Sequence, residues 1–75
     1  MARIFRTDGT TEEAQMTDLS HFQTAVGGYI EVADRDDSGN FILVNEEGLL
    51  KNLQSNPFYP QFVGNVVRAT PEEFN

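Results

Sequence analysis

Apolar residues along this chain change their spacing from one segment to the next, and the spacing identifies the element. Arg3-Ile-Phe-Arg-Thr7 predicts a short strand, and Asp8-Gly9 behind it is a strong turn dipeptide, so the N-terminus reads as a strand leading into a hairpin or loop. Thr10 to Met16 is polar and shows neither a helical nor a strand period. Leu19, Phe22, Ala25 and Val26 share one face of a helix about two turns long. Thr17 or Asp18 can cap its start, and Gly27 can close it in the left-handed conformation. From Tyr29 to Ala33 the period falls to two, which predicts a strand with Ile30 and Val32 turned to the core. Phe41 to Val44 is continuously apolar, the signature of a central strand, and Asp34 to Asn40 forms the hairpin loop between the two strands.

Asn45-Glu-Glu-Gly48 reads as a second tight turn, with Gly48 at a position needing positive φ and Leu49, Leu50 and Leu53 returning to the core. Asn56-Pro57 interrupts the chain, after which Phe58, Tyr59 and Phe62 are expected to form a short helical turn that lids one edge. Phe58 and Tyr59, being adjacent, are expected to point in different directions. Gly64-Asn-Val-Val-Arg68 predicts a last strand. Thr70-Pro-Glu-Glu has the cap, the proline and the acidic third residue of a helix start, but too little chain follows for a helix to nucleate on its own. The expected fold is a single α+β domain over residues 1–75, with one short helix packed on a small, mainly antiparallel sheet of four to five strands. Its expected core is Ile4, Leu19, Phe22, Val26, Ile30, Val32, Ile42, Val44, Leu50, Val66 and one face of the Phe58 to Phe62 segment.

Composition narrows the class. A chain of 75 residues has room for one core, and without cysteine neither disulfides nor cysteine-bound zinc can staple it. Self-association is one remaining way to bury more apolar surface, and a homo-oligomer is expected on that ground. No long apolar run is present, so neither a signal peptide nor a membrane span is expected and the cytoplasm is the expected location. Twelve acidic against five basic residues give a net charge of −7, which repels nucleic acid and anionic membranes and favours basic partners or small ligands.

Each candidate chemical motif has a plainer structural reading. Asp34-Arg-Asp36-Asp-Ser38-Gly39 imitates the first half of a calcium loop, but position twelve is Asn45 in place of a bidentate glutamate and the flanks are strands, so a solvated hairpin is expected and no metal. His21 is the sole histidine and would need Ser20, Ser38 or Ser55 to converge on it for nucleophilic chemistry. Glu12-Glu13, Asp36-Asp37, Glu46-Glu47 and Glu72-Glu73 read as solubility charge, whereas Glu31, in mid-strand, is the acid expected on a structured face. Gly27-Gly28 follows a helix and enters a strand, the reverse of a phosphate cradle. Asn56-Pro-Phe-Tyr59 matches a peptide signal that works in flexible tails, yet here core residues flank it. No catalytic residue and no cofactor are expected.

Val26-Gly-Gly-Tyr-Ile-Glu-Val, Leu43-Val-Asn-Glu-Glu-Gly-Leu-Leu-Lys-Asn-Leu, Asn56 and Val63-Gly-Asn-Val-Val, in this order and spacing, resemble a family of small viral proteins of unknown function from bacteriophages, large DNA viruses and related prophage regions. The likeness covers roughly residues 19 to 68 and lapses at Pro57-Phe-Tyr-Pro60, where the family more usually has a small polar and basic helical segment. It implies an accessory protein acting in the cytoplasm of an infected host cell. The expected function is non-enzymatic: binding a host protein, or sequestering a small anionic ligand, including in counter-defence. Arg3, Arg6, Arg35, Lys51 and Arg68 would hold anionic groups, and Phe58, Tyr59 and Phe62 would supply a subunit or partner contact. The alternative is an acidic mimic of nucleic acid that blocks a DNA-binding host enzyme.

Overall fold

Two hairpins supply four of the strands, and the last strand inserts between them. The computed structural model describes residues 1–74, with strands β1 (Ala2–Phe5), β2 (Thr11–Ala14), β3 (Ile30–Arg35), β4 (Phe41–Asn45) and β5 (Val66–Ala69), and helices α1 (Leu19–Val26) and α2 (Pro71–Phe74). The five strands form one sheet in the order β2-β1-β5-β4-β3, and every neighbouring pair is antiparallel. This is the expected α+β fold, with β5 at the centre. Both hairpins turn in the same way. Gly9 (φ 89°) donates to Arg6 O at 3.1 Å while Arg6 N donates to Thr10 O, and Gly39 (φ 86°) donates to Asp36 O at 2.9 Å while Asp36 N donates to Asn40 O. Each turn needs a residue at positive φ, which glycine supplies without steric cost. The first turn delivers Thr11–Ala14 opposite β1 and makes a strand of a stretch with no apolar period. As an edge strand, β2 has little to bury.

The sheet is covered on both faces. On one face α1 places Phe22 and Val26 over Ala2, Ile4, Leu43 and Val67, all buried. Asp18 caps the helix, its Oδ1 accepting the His21 N–H, and Gly27 (φ 81°) ends it. Leu19, expected in this core, is 55% exposed, and Met16 from the approach to the helix is buried in the cluster instead. α2 forms despite its length. Thr70 N and Oγ1 donate to Glu73 Oε1 and Glu73 N donates back to Thr70 Oγ1, while the Phe74 ring sits 5.4 Å from both Phe22 and Phe41. Tertiary packing supplies what an isolated turn lacks.

The opposite face, with Phe5, Ile42, Val44 and Val66, is covered by residues 46–63, which contain neither helix nor regular strand. Tyr59 and Phe62 pack there. The expected helical turn is an irregular one, and it lies across the face of the sheet. Phe58 and Tyr59 do not diverge: both rings contact Phe5, at 5.3 and 5.2 Å, because both of their N–H groups are drawn to Asn56 Oδ1 and the backbone folds between them. Three other core expectations fail. Val32 is 43% exposed because β3 is an edge strand whose register shifts between Val32 and Asp34, and Leu49 and Leu50 are 82% and 85% exposed. Gly48 is not at positive φ. It is required by space, since a Cβ there would lie 2.8 Å from Val63 Cγ2, and the turn it opens carries both leucines outward. Among the described residues no helix is long and apolar enough to cross a membrane.

Candidate functional site

The irregular cover does not close completely over the sheet. Between the outer half of β3 and β4 and the covering segment runs a groove of about 500 Å³, walled by Glu31, Val32 and Ala33 on one side and by Glu46, Gly48, Leu49 and Leu50 on the other, with Val44, Phe62 and Val63 contributing apolar surface. Two buried asparagines hold this geometry. Asn45 Nδ2 donates to Val26 O at 3.1 Å and its Oδ1 accepts Glu47 N–H at 2.8 Å, which ties the turn carrying the leucines to the end of α1. Asn56, fully buried, donates through Nδ2 to Phe5 O and Gly64 O and accepts Phe58 and Tyr59 N–H, which pins the rest of the cover to β1. Neither residue leaves a buried polar atom unmatched, so a polar pair of side chains can sit in an apolar setting at little cost.

Charge at the groove has one sign. Glu31 and Glu46 are its charged lining residues, both exposed, and neither takes part in an ion pair among the described residues. Sequence period singled out Glu31 correctly as an acid on a structured face. It missed Leu49 and Leu50, whose outward placement is set by the close contact of Gly48 with Val63, fifteen positions on, and leaves no signal in the local sequence.

The five basic residues do not gather into an anion site. Arg3 and Arg68 are opposite one another in the β1–β5 register, but Arg3 is engaged by Glu13 at 2.6 Å and Thr11 at 3.0 Å, and the Arg68 guanidinium lies over the Phe5 ring at 5.3 Å. Arg6, three positions from Arg3 and so on the other face of the strand, pairs with Glu12. Arg35 stacks over Phe41 at 4.6 Å and donates to Gly39 O, and Lys51 stands in the covering segment next to Gly28. The three aromatic residues singled out with them do converge, but upon Phe5 and each other, and Phe62 alone of them lines the groove.

The groups with chemical potential elsewhere are occupied with local structure. His21 Nδ1 accepts Thr17 N–H at 3.0 Å, and Ser20 Oγ donates to Asp18 Oδ1 at 2.6 Å, so the serine, histidine and aspartate near the helix start are arranged as a cap. The Ser20 hydroxyl lowers the Asp18 carboxyl below its ordinary value, with the His21 N–H adding to it. In the β3–β4 hairpin, the Asn40 side-chain amide, the Asn40 N–H and the Ser38 N–H likewise lower Asp36, and Asp34 accepts the Arg35 N–H. Those two carboxylates face the backbone of their own loop, and no group of three metal-ligating side chains occurs among the described residues.

A family model described as a domain of unknown function, DUF3846, matches residues 2–74. Neither the curated proteins nor the solved structures contain a match to the chain.

Proposed function

The chain belongs to the DUF3846 family, and from that premise we propose that it is a non-enzymatic binding domain that works by occupying a surface of another protein through the groove beside β3. The observation that carries this reading is the position of Leu49 and Leu50, more than four-fifths exposed, on the rim of a groove with Val44, Phe62 and Val63 in its wall. Covering a leucine is worth roughly 1.5–3 kcal/mol, and exposed apolar side chains contiguous with a concave apolar wall are what a partner covers. The resemblance of Val26 to Val32, Leu43 to Leu53, Asn56 and Val63 to Val67 to small viral proteins supports a partner met in an infected cell, a host protein held by a phage or virus accessory factor. Sequestration of a small anion finds less support, since the basic residues are dispersed and mostly engaged within the fold.

The test is selection of a displayed random-peptide library on the full chain, followed by affinity measurement with Leu50→Asp. That side chain is 85% exposed, so the variant should melt with the parent. Selected peptides should share apolar anchors and lose at least about tenfold in affinity on Leu50→Asp, the equivalent of about 1.4 kcal/mol. Selected peptides that bind Leu50→Asp as well as the parent would place the binding surface elsewhere.

A further inference from the structure

We infer that the groove takes a cationic segment of a partner protein, with an apolar side chain seated between Leu50 and Phe62 and a lysine or arginine held by Glu31 and Glu46. This rests on the reading of the groove as the binding surface and adds the chemistry of what binds. Of its twelve lining residues, two are charged and both are acidic. Elsewhere on the sheet, Glu12 and Glu13 are matched by Arg6 and Arg3, whereas Glu31 and Glu46 stand beside an apolar wall with no basic residue lining the groove. Carboxylates beside an apolar wall select against anionic ligands and favour a partner that carries its own positive charge, because the mismatch costs more as water is displaced. A second copy of this chain is the wrong occupant. It carries the same net charge of −7 and would bring the same two glutamates to the contact.

The probes are three fluorescently labelled octapeptides that alternate leucine with lysine, serine or glutamate, titrated with the full chain at about 150 mM salt, where the Debye length is about 8 Å and distant charge is screened. The lysine peptide should bind roughly tenfold more tightly than the serine peptide, and the glutamate peptide more weakly than either. In Glu31→Lys/Glu46→Lys the order should invert. Asp37→Lys/Glu72→Lys changes net charge equally at exposed positions outside the groove and should leave the order as it was. Should the first double variant fold poorly, Glu31→Gln/Glu46→Gln should abolish the preference for lysine over serine. An equal response to both double lysine variants would show that total charge governs binding and overturn the inference. Equal binding of the lysine and serine peptides, with Leu50→Asp still weakening both, would overturn it while leaving the groove as the binding surface. Loss of all binding preference together with indifference to Leu50→Asp would remove both.

Discussion

Asn56→Ala removes the side chain that pins the cover to β1, and its effect can be worked from the contacts. Asn56 is fully buried; its amide gives hydrogen bonds of 2.8 and 3.0 Å to Phe5 O and Gly64 O, and its oxygen accepts 2.9 and 3.1 Å bonds from Phe58 and Tyr59 N–H. Alanine leaves two buried acceptors without that donor, at about 1 kcal/mol or more each, and two part-buried donors that water reaches more easily, at somewhat less. The loss should therefore be about 3–5 kcal/mol. A domain of this size holds only about 5 kcal/mol in all, so the variant should be largely unfolded or close to it at 37 °C. Urea unfolding in a Tyr29→Phe background, followed by far-ultraviolet circular dichroism and by tyrosine fluorescence, reads the effect from two positions, since Tyr59, then the sole tyrosine, lies in the cover. Coincident transitions at a much lower midpoint mean global destabilisation. Separation of the tyrosine signal at low urea, with a smaller slope, means that the cover opens first. Unfolding within 1 kcal/mol of the parent would refute the assignment of Asn56 as the link.

Further outcomes follow from other contacts. Gly27→Ala and Gly64→Ala share nearly the same φ, 81° and 80°, but a Cβ on Gly64 would lie 2.8 Å from Leu53 Cδ1 and one on Gly27 meets nothing within 4 Å. Thermal melts should therefore show both variants losing roughly 1–2 kcal/mol of left-handed strain, with the Gly64 variant adding only the small cost of turning the end of the Leu53 side chain aside. Asp8, Asp18 and Asp36 all have carboxyls lowered in the folded state, chiefly by the Thr10 hydroxyl, the Ser20 hydroxyl and the Asn40 amide. The unfolded chain then binds protons more readily than the folded one, so their stabilisation is present above about pH 4 to 5 and is lost as pH falls through the folded values; Asp36→Asn should flatten part of that decline in melting temperature. Tyr59→Ser should lower stability at every protein concentration, as expected of a ring packed on Phe5 and Phe62 within one chain; a loss seen only on dilution would assign the ring to a subunit contact instead.

What the sequence disclosed and what it concealed divide by the range of the interactions involved. α1 is specified within ten residues by Asp18, its apolar face and Gly27, and each hairpin by an acidic residue and a glycine in its turn, so local periodicity and turn chemistry sufficed. β2 is polar and exists through pairing with β1, while α2 announces its start at Thr70 but owes its existence to Phe74 against Phe22 and Phe41, so local signal decided neither. The cover is the extreme case. Asn56 is fixed by Phe5, 51 positions away, and by Gly64, and nothing near Asn56 in the chain announces either partner. Val32 and Leu50 were misplaced for a related reason. An apolar residue in the right period or behind a turn predicts the core only if another layer lies opposite, and at the β3 edge none does. The same limit applies to the site, where Glu31 was legible from its strand position and the opposing wall was not.

The groove follows from how this small domain covers a sheet with two apolar faces. One face receives α1 and α2, whose side chains are regularly spaced and fill their layer. The other receives a segment without regular structure, held at defined points by Asn45, Asn56 and the Ser55–Val63 bridge. Such a segment cannot present side chains at the even spacing of a helix, so it covers Phe5 and Val66 with aromatic rings near Asn56 and leaves the β3 end open, where Gly48 must stay small against Val63. Leu49 and Leu50 stand at that open end because the turn that admits Gly48 points them away from the sheet. If exposure there were merely tolerated, replacing both leucines with polar residues would change nothing but solubility. On the present reading Leu49→Ser/Leu50→Ser leaves the melting temperature within a few degrees and removes peptide binding, whereas retained binding would return the groove to being a gap in an imperfect cover.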